Sequence, residues 1–318
     1  MNIAITGGGG FLGRRLAAVL LSRPEIGHVR LVDSAPITPF TDDLRVELCQ
    51  ANLLDPGAAR AVAEGADVIY HLAAVVSGQA ESDFDLGMGV NLDATRLLLE
   101  AARSGKRTPR FVFTSSLAVF GPPLPETVND ETAVHPRSSY GAQKAIGELL
   151  VCDFSRKGFV DGRAVRLPTV CVRPGKPNGA ASSFVSGIIR EPLNGQRAVC
   201  PVDEGLELWL SSPKAAVENL AHAALLAGEK LGDGRIVNLP GITVSVGEMI
   251  RSLSSVGGPE TAALISFSED AAVKRIVSSW PARFNVARAI GLGFVRDPDF
   301  VSLIRDYMAT ELAAARRP

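Results

Sequence analysis

Residues 2–13 read Asn-Ile-Ala-Ile-Thr-Gly-Gly-Gly-Gly-Phe-Leu-Gly, and this stretch decides the fold. Asn2–Thr6 is a short apolar run suited to a strand. Phe11–Leu21 has helical spacing and stops short of Pro24. Between them Gly7, Gly10 and Gly13 satisfy GxxGxxG, while Gly8, Gly10 and Gly13 satisfy GxGxxG. One glycine permits the sharp strand-to-helix turn, a second lets backbone approach a pyrophosphate, and a third lets helix and strand pack closely. The helix start then offers free N–H groups and a positive dipole end to phosphates. A flexible turn without a ligand is the plainer alternative, but the flanking strand and helix favour a dinucleotide.

Working outward, His28–Asp33 is a second strand ending in a carboxylate, 20 residues beyond Gly13. Asp33 can accept both ribose hydroxyls of NAD and repels the extra phosphate of NADP. Ser34 and Ala35 supply no cation to offset that repulsion. Asp67–Val76, Val90–Ala102, Arg110–Thr114, Ser138–Phe154 and Arg163–Val172 continue the alternation of strand and helix. That pattern predicts βαβ units and an α/β fold, a Rossmann-like doubly wound parallel sheet. Beyond it the pattern loosens into the loop Arg173–Asn178, a helix over Pro213–Ala227, and shorter elements including Val244–Ser252 and Asp299–Arg316. The looser half predicts a smaller C-terminal α/β substrate lobe. The expected division is a dinucleotide domain over 1–167, with 211–238 returning to it, and a substrate lobe over 168–210 and 239–318.

Composition narrows the function. The 318 residues carry 33 Lys+Arg against 34 Asp+Glu, and no basic stripe interrupts that balance, which argues against nucleic acid. Arg316-Arg317 reads as a frayed tail. No stretch approaches the roughly 18 apolar residues of a membrane helix. The N-terminus lacks the basic and cleavage patterns of a signal peptide. Cys49, Cys152, Cys171 and Cys200 lack CxxC spacing, which disfavours metal and disulfides and fits a reduced cytoplasm.

Tyr140-Gly141-Ala142-Gln143-Lys144 places a phenol and an amine at i and i+4, on one helix face about 6 Å apart along the axis. An ammonium near a phenol stabilises phenolate, lowering its pKa from about 10 toward neutrality. Phenolate can then take the proton of a substrate hydroxyl as hydride leaves the same carbon. The spacing alone is common on helix surfaces. The strand Arg110–Thr114, running into Ser115 and Ser116, adds weight, because ligands of doubly wound sheets bind beyond the strands' carboxyl ends. A capping or turn role for the two serines is the alternative.

With these residues in view the chain resembles the extended short-chain dehydrogenase/reductase family, the NAD-dependent epimerases and dehydratases. The resemblance rests on TGGGGFLG at 6–13, Asp33, HLAA at 71–74, Asn91, TSSLAVFG at 114–121 and YGAQK at 140–144. It extends through RLPTV at 166–170, WLSSP at 209–213, Trp280-Pro281 and RAIGLGF at 288–294. It implies that Gly7, Gly10, Phe11, Leu12 and Gly13 surround the pyrophosphate and that Asp33 holds the adenosine ribose. It implies a cofactor trough lined by Leu72, Ala73 and Ala74, together with Asn91, Ser115 and Pro168, and an adenine contact from Asn52-Leu53. Tyr140 and Lys144 would bind the nicotinamide ribose, with Tyr140 as base and Ser116 as its helper. His71 would be structural. A homodimer through helices near 91–104 and 138–157 is implied as well.

One departure bears on substrate. Nucleotide-sugar epimerases of the family commonly have an asparagine and a YGP-like turn after the strand arginine. Here Arg166-Leu167-Pro168-Thr169-Val170-Cys171-Val172-Arg173-Pro174-Gly175-Lys176 replaces them with a cationic turn. Arg173 can hold a small carboxylate by a bidentate fork, and Ser77 can reach a substrate hydroxyl. The turn resembles a branch of the family that oxidises the 2-hydroxyl of a four-carbon sugar acid, D-erythronate, to a 2-keto acid. The alternatives are a nucleotide-sugar epimerase or dehydratase that retains NAD, and a non-catalytic dinucleotide sensor. The glycines of 75–90 suggest a mobile rim.

Overall fold

The computed structural model describes residues 1–313. Arg316, where the reading above ends the last helix, and the Arg316-Arg317 tail lie outside them. The main sheet comprises β1 (Asn2–Thr6), β2 (His28–Asp33), β3 (Val46–Gln50), β4 (Val68–His71), β5 (Arg110–Ser116), β6 (Asp161–Leu167) and, arriving late in the chain, β10 (Ile236–Asn238). The spatial order is β10-β6-β5-β4-β1-β2-β3, with every neighbouring pair parallel. The order turns outward from β1, so a crevice opens beyond the carboxyl ends of the strands, where doubly wound sheets take ligands. Thr6, His71 and Phe113 lie side by side at those ends.

Helices cover both faces. On one, α1 (Phe11–Leu21) and the later α8 (Pro213–Leu225) share a core with Ile5, Leu31, Tyr70, Val165 and Val237. On the other, α2 (Pro56–Ala63), α5 (Ala94–Arg103) and α6 (Ser139–Arg156) pack over Ala4, Ile69, Phe111 and Phe113. Between α2 and α5 lie α3 (Ser77–Ser82) and α4 (Phe84–Gly87), so the stretch expected as a mobile rim is helical. The strand expected over Asp67–Val76 ends at His71. The 18-residue α6 starts at Ser138, whose hydroxyl accepts the Gly141 N–H at 3.2 Å, an N-cap of ordinary kind.

The strand expected over Arg163–Val172 divides. β6 ends at Leu167, Pro168 has no N–H to continue the ladder, and β7 (Thr169–Val170) joins another sheet. That sheet pairs β7 with β9 (Glu207–Ser211) and β9 with β11 (Ile242–Ser245). β8 (Ala198–Cys200) pairs with β12 (Ile265–Phe267). With α7 (Ser183–Leu193) and the helices Val246–Gly257 and Phe300–Tyr307 they bury a second cluster around Val185, Ile189, Leu210, Met249 and Ile304. Ala289 and Phe294, read from sequence with this half, pack instead against the first core. The segment after β6 therefore leaves the main sheet at Pro168 and carries Arg173 across its carboxyl end.

Candidate active site

A cleft of about 370 Å³ lies where the two halves meet, within the range usual for small-ligand sites. Gly7, Gly10, Phe11, Leu12 and Gly13 form one wall. Leu72, Ala74, Ser77, Ser116, Tyr140, Lys144, Pro168 and Arg173 border the rest.

The glycine wall is built by exclusion. Gly7 adopts φ +69°, and a Cβ there would stand 2.8 Å from the Ala73 nitrogen. A Cβ on Gly8 would meet the Ile5 carbonyl at 2.8 Å, and one on Gly13 would strike the Gly7 carbonyl. Backbone thus lies against backbone, and α1 begins at Gly10 with no side-chain cap on its first N–H groups. Such an uncapped start, edged by glycine, fits a pyrophosphate. Asp33 stands at the rim of this loop, accepting the Gly9 N–H at 3.2 Å and the Ala35 N–H at 3.3 Å. Both bonds hold the carboxylate beside the loop where a ribose would lie.

Beneath the cleft His71 is fully buried. Thr95 Oγ1 donates to the Asn91 carbonyl, so it accepts from His71 Nε2 at 2.9 Å. His71 Nδ1 is then the acceptor for Thr6 Oγ1 at 2.7 Å. The neutral tautomer is therefore specified by its partners, and burial, reinforced by the charge of Lys144, takes its pKa down to about 3. Between pH 6.5 and 3 the unfolded chain binds a proton here that the folded chain refuses, so stability falls with pH across that window. By pH 5 the site contributes a loss of about 2 kcal/mol. Urea unfolding of His71→Gln is expected to show a shallower decline from pH 6.5 to 5 than the parent. Parallel declines would refute the assignment.

Tyr140 and Lys144 both border the cleft, one turn apart on α6. Lys144 is buried, its Nζ 5.8 Å from the Tyr140 ring centroid and 4.7 Å from that of Phe113. Burial lowers its pKa to about 8, against the carboxylate of Glu148, which raises it. Burial pushes the Tyr140 phenol up to about 12, opposed first by the Ser116 hydroxyl and then by the charge of Arg173. In the ligand-free protein desolvation outweighs the help expected from Lys144, and Ser116 and Arg173 also favour phenolate. The Ser116 hydroxyl accepts the Ala118 N–H at 3.2 Å, which fixes its lone-pair side.

Arg173 makes no side-chain hydrogen bond or ion pair among the described residues, although burial depresses its pKa. Its backbone is clamped from α7. Its N–H donates to Ser186 Oγ at 3.0 Å, and its carbonyl accepts from Arg190 Nη1 at 2.8 Å. The side chain is half-buried at the cleft, so its guanidinium is open to an anionic ligand.

Five expected cofactor contacts also have structural roles. The Asn91 amide is consumed by the Val75 backbone and Gln143 Oε1, so it shapes the trough from below. Ser115 lines the cleft while its Oγ donates to Glu148 Oε1 at 2.5 Å. Leu53 is buried in the core under α2 and α5, and Asn52 accepts the Leu54 N–H in a turn. Ala73 lies behind Leu72 and Ala74, its N–H donating to Thr6 Oγ1. Ser77 borders the cleft, but its hydroxyl already accepts the Ala181 N–H at 3.1 Å. Arg190 and Thr169 also line the cleft and were not anticipated. A buried arginine on the apolar face of Ser183–Leu193 was the one available sign of the first.

A glycine-edged crevice with serine, tyrosine and lysine across it defines a nicotinamide-dinucleotide enzyme of Rossmann type. The chain belongs to the NAD dependent epimerase/dehydratase family, which it matches over residues 3–239. It is 53% identical over 317 residues to a D-erythronate dehydrogenase of Cupriavidus necator, covering 97% of this chain and 98% of that one. It is 49% identical to a D-erythronate dehydrogenase of Haemophilus influenzae, over 98% of this chain and all of the other. A solved structure described as a nucleoside-diphosphate-sugar epimerase from Agrobacterium tumefaciens superposes with a TM-score of 0.91 at 42% identity, covering 98% and 95% of the two chains.

Proposed function

We propose that this protein oxidises the 2-hydroxyl of D-erythronate to 2-dehydro-D-erythronate with NAD as hydride acceptor. The half-buried guanidinium of Arg173, which lines the cleft with Tyr140 and has no side-chain partner among the described residues, carries the reading, because a small carboxylate is a ligand that completes it. When bound, the dinucleotide supplies the hydride acceptor and a positive charge next to the phenol. Tyr140 takes the hydroxyl proton, Ser116 fixes the oxygen, and Lys144 holds the ribose and favours the phenolate. Arg173 fixes the carboxylate and thereby the carbon next to it, which is the one oxidised. The carboxylate of Asp33 at the glycine loop favours NAD over NADP. The identities to two D-erythronate dehydrogenases across nearly the whole chain support the same substrate.

The Agrobacterium structure, described as an epimerase, offers a second reading, on a nucleotide sugar. A tightly retained cofactor and no net NADH would follow from it. A panel of C3–C6 aldonic acids with NAD or NADP, followed at 340 nm, separates the two. NADH release with the four-carbon acid, and little with NADP, is expected. Silence on the panel with turnover of a UDP-sugar would overturn the proposal. Ile146 and Leu149, exposed on α6, support a homodimer through α5 and α6.

A further inference from the structure

Helix α6 carries a third functional position, one turn beyond Lys144. We propose that Glu148 is a positioning residue for the reaction, its carboxylate tying the ends of β5 and β6 to the helix that bears Tyr140 and Lys144. The proposal rests on the active-site reading above.

The geometry is specific. Glu148 is 2% exposed and engages both neighbouring strands. Oε1 accepts from Ser115 Oγ at 2.5 Å, next to Ser116 on β5. Arg166 near the end of β6 reaches both oxygens, Nε to Oε1 at 2.8 Å and Nη2 to Oε2 at 2.7 Å. Residue 166 immediately precedes the Leu167-Pro168-Thr169 edge of the cleft. One carboxylate therefore sets the mutual placement of Ser116, of Tyr140 with Lys144, and of the chain leading to Arg173. A bidentate arginine fork resists both slide and rotation, which a single bond would permit. Outward, Arg166 Nη1 contacts Asn238 Oδ1 at 3.4 Å, and Asn238 Nδ2 donates to Asp130 Oδ1 at 3.0 Å.

Glu148 also supplies the negative charge nearest in sequence to Lys144 on this helix. The groups linked to that ammonium are Tyr140 beside it, Glu148, whose charge raises its pKa, and neutral His71, whose pKa its charge lowers; Arg166 on β6 pairs with Glu148, and Arg173 acts on Tyr140. Removing Glu148 takes away the carboxylate whose charge favours the Lys144 ammonium. Removing Arg166 takes away the cation that offsets that carboxylate. The two changes are expected to move the ammonium's titration in opposite directions, by up to about one pH unit each. A pair that exerts no field at the ammonium would alter stability in both and the titration in neither.

The test labels the protein with ¹³Cε-lysine and follows the Lys144 signal by NMR against pH, with assignment by its loss in Lys144→Arg. Glu148→Gln is expected to bring the titration to lower pH, and Arg166→Met to higher. An unchanged titration in both overturns the electrostatic half, whatever the substrate proves to be. Glu148→Gln/Arg166→Met leaves no unpaired buried charge and is expected to melt close to the parent. It decides the positioning half even if either single variant does not fold. A tenfold or greater fall in kcat for D-erythronate, with the melting temperature kept, is expected, and a parental kcat overturns it. A parent inactive on every aldonic acid refutes the substrate reading alone, and the double variant is then compared on the UDP-sugar.

Discussion

Tyr140→Phe is expected to lower kcat by about 10³-fold or more while leaving dinucleotide affinity within a few-fold of the parent. The change removes one oxygen atom from a ring that otherwise stays packed on α6. No other group bordering the cleft can exchange a proton near neutral pH from the same place. Lys144 lies behind the ring, 5.8 Å from its centroid, and Ser116 lacks a base of its own. The measurement is steady-state NADH formation together with NADH binding by fluorescence. Parental turnover would remove Tyr140 from the proton-transfer step. Retained kcat with weakened NADH binding would leave it only a ribose contact.

The pH behaviour adds a second reading of the same residue. Burial holds the phenol up at about 12 in the ligand-free protein and takes Lys144 down to about 8. The proton thus leaves Tyr140 only when further positive charge is brought beside it. A lower apparent pKa for the catalytic base in the dinucleotide complex than in the ligand-free protein is the expected consequence, read from the pH dependence of single-turnover rates.

How much of this was legible beforehand depended on range along the chain. The glycine run and its flanking elements are contiguous, so their chemistry could be read from twelve residues. Tyr140 and Lys144 lie one helical turn apart, and helix geometry alone pairs them. Asp33 needed only the next strand. The functions of Asn91, Ser115 and His71 depend on partners 16, 33 and 65 residues away, respectively. Nothing local distinguishes an amide that bonds a ribose from one that bonds the backbone of Val75. Pro168 was visible, yet its effect was not anticipated. The apolar run 163–172 continues past it, while the missing N–H hands the strand to another sheet. Arg190 escaped notice because its role is to hold the carbonyl of a residue 17 positions earlier.

Arg173 offers the sharpest separation of function from stability. Arg173→Met is expected to reduce kcat/KM for D-erythronate by about a hundredfold, chiefly through KM, because a desolvated charge-assisted fork to a carboxylate is worth several kcal/mol. The same change is expected to leave the melting temperature unchanged or raise it. The half-buried guanidinium makes no side-chain hydrogen bond or ion pair among the described residues that folding would lose, its partial desolvation disfavours the charge, and methionine fills similar space without that cost. The backbone clamps from Ser186 and Arg190 use main-chain atoms and survive the substitution. Arg173→Lys restores charge without the planar fork, so it should recover only a small part of the loss. A neutral polyol of the same length should feel none of these changes. Equal losses on acid and polyol, or a large drop in melting temperature, would mean that Arg173 supports the loop and recognises nothing. The different effects on affinity and stability follow from one physical fact: a half-buried cation left open by the fold is completed by its ligand.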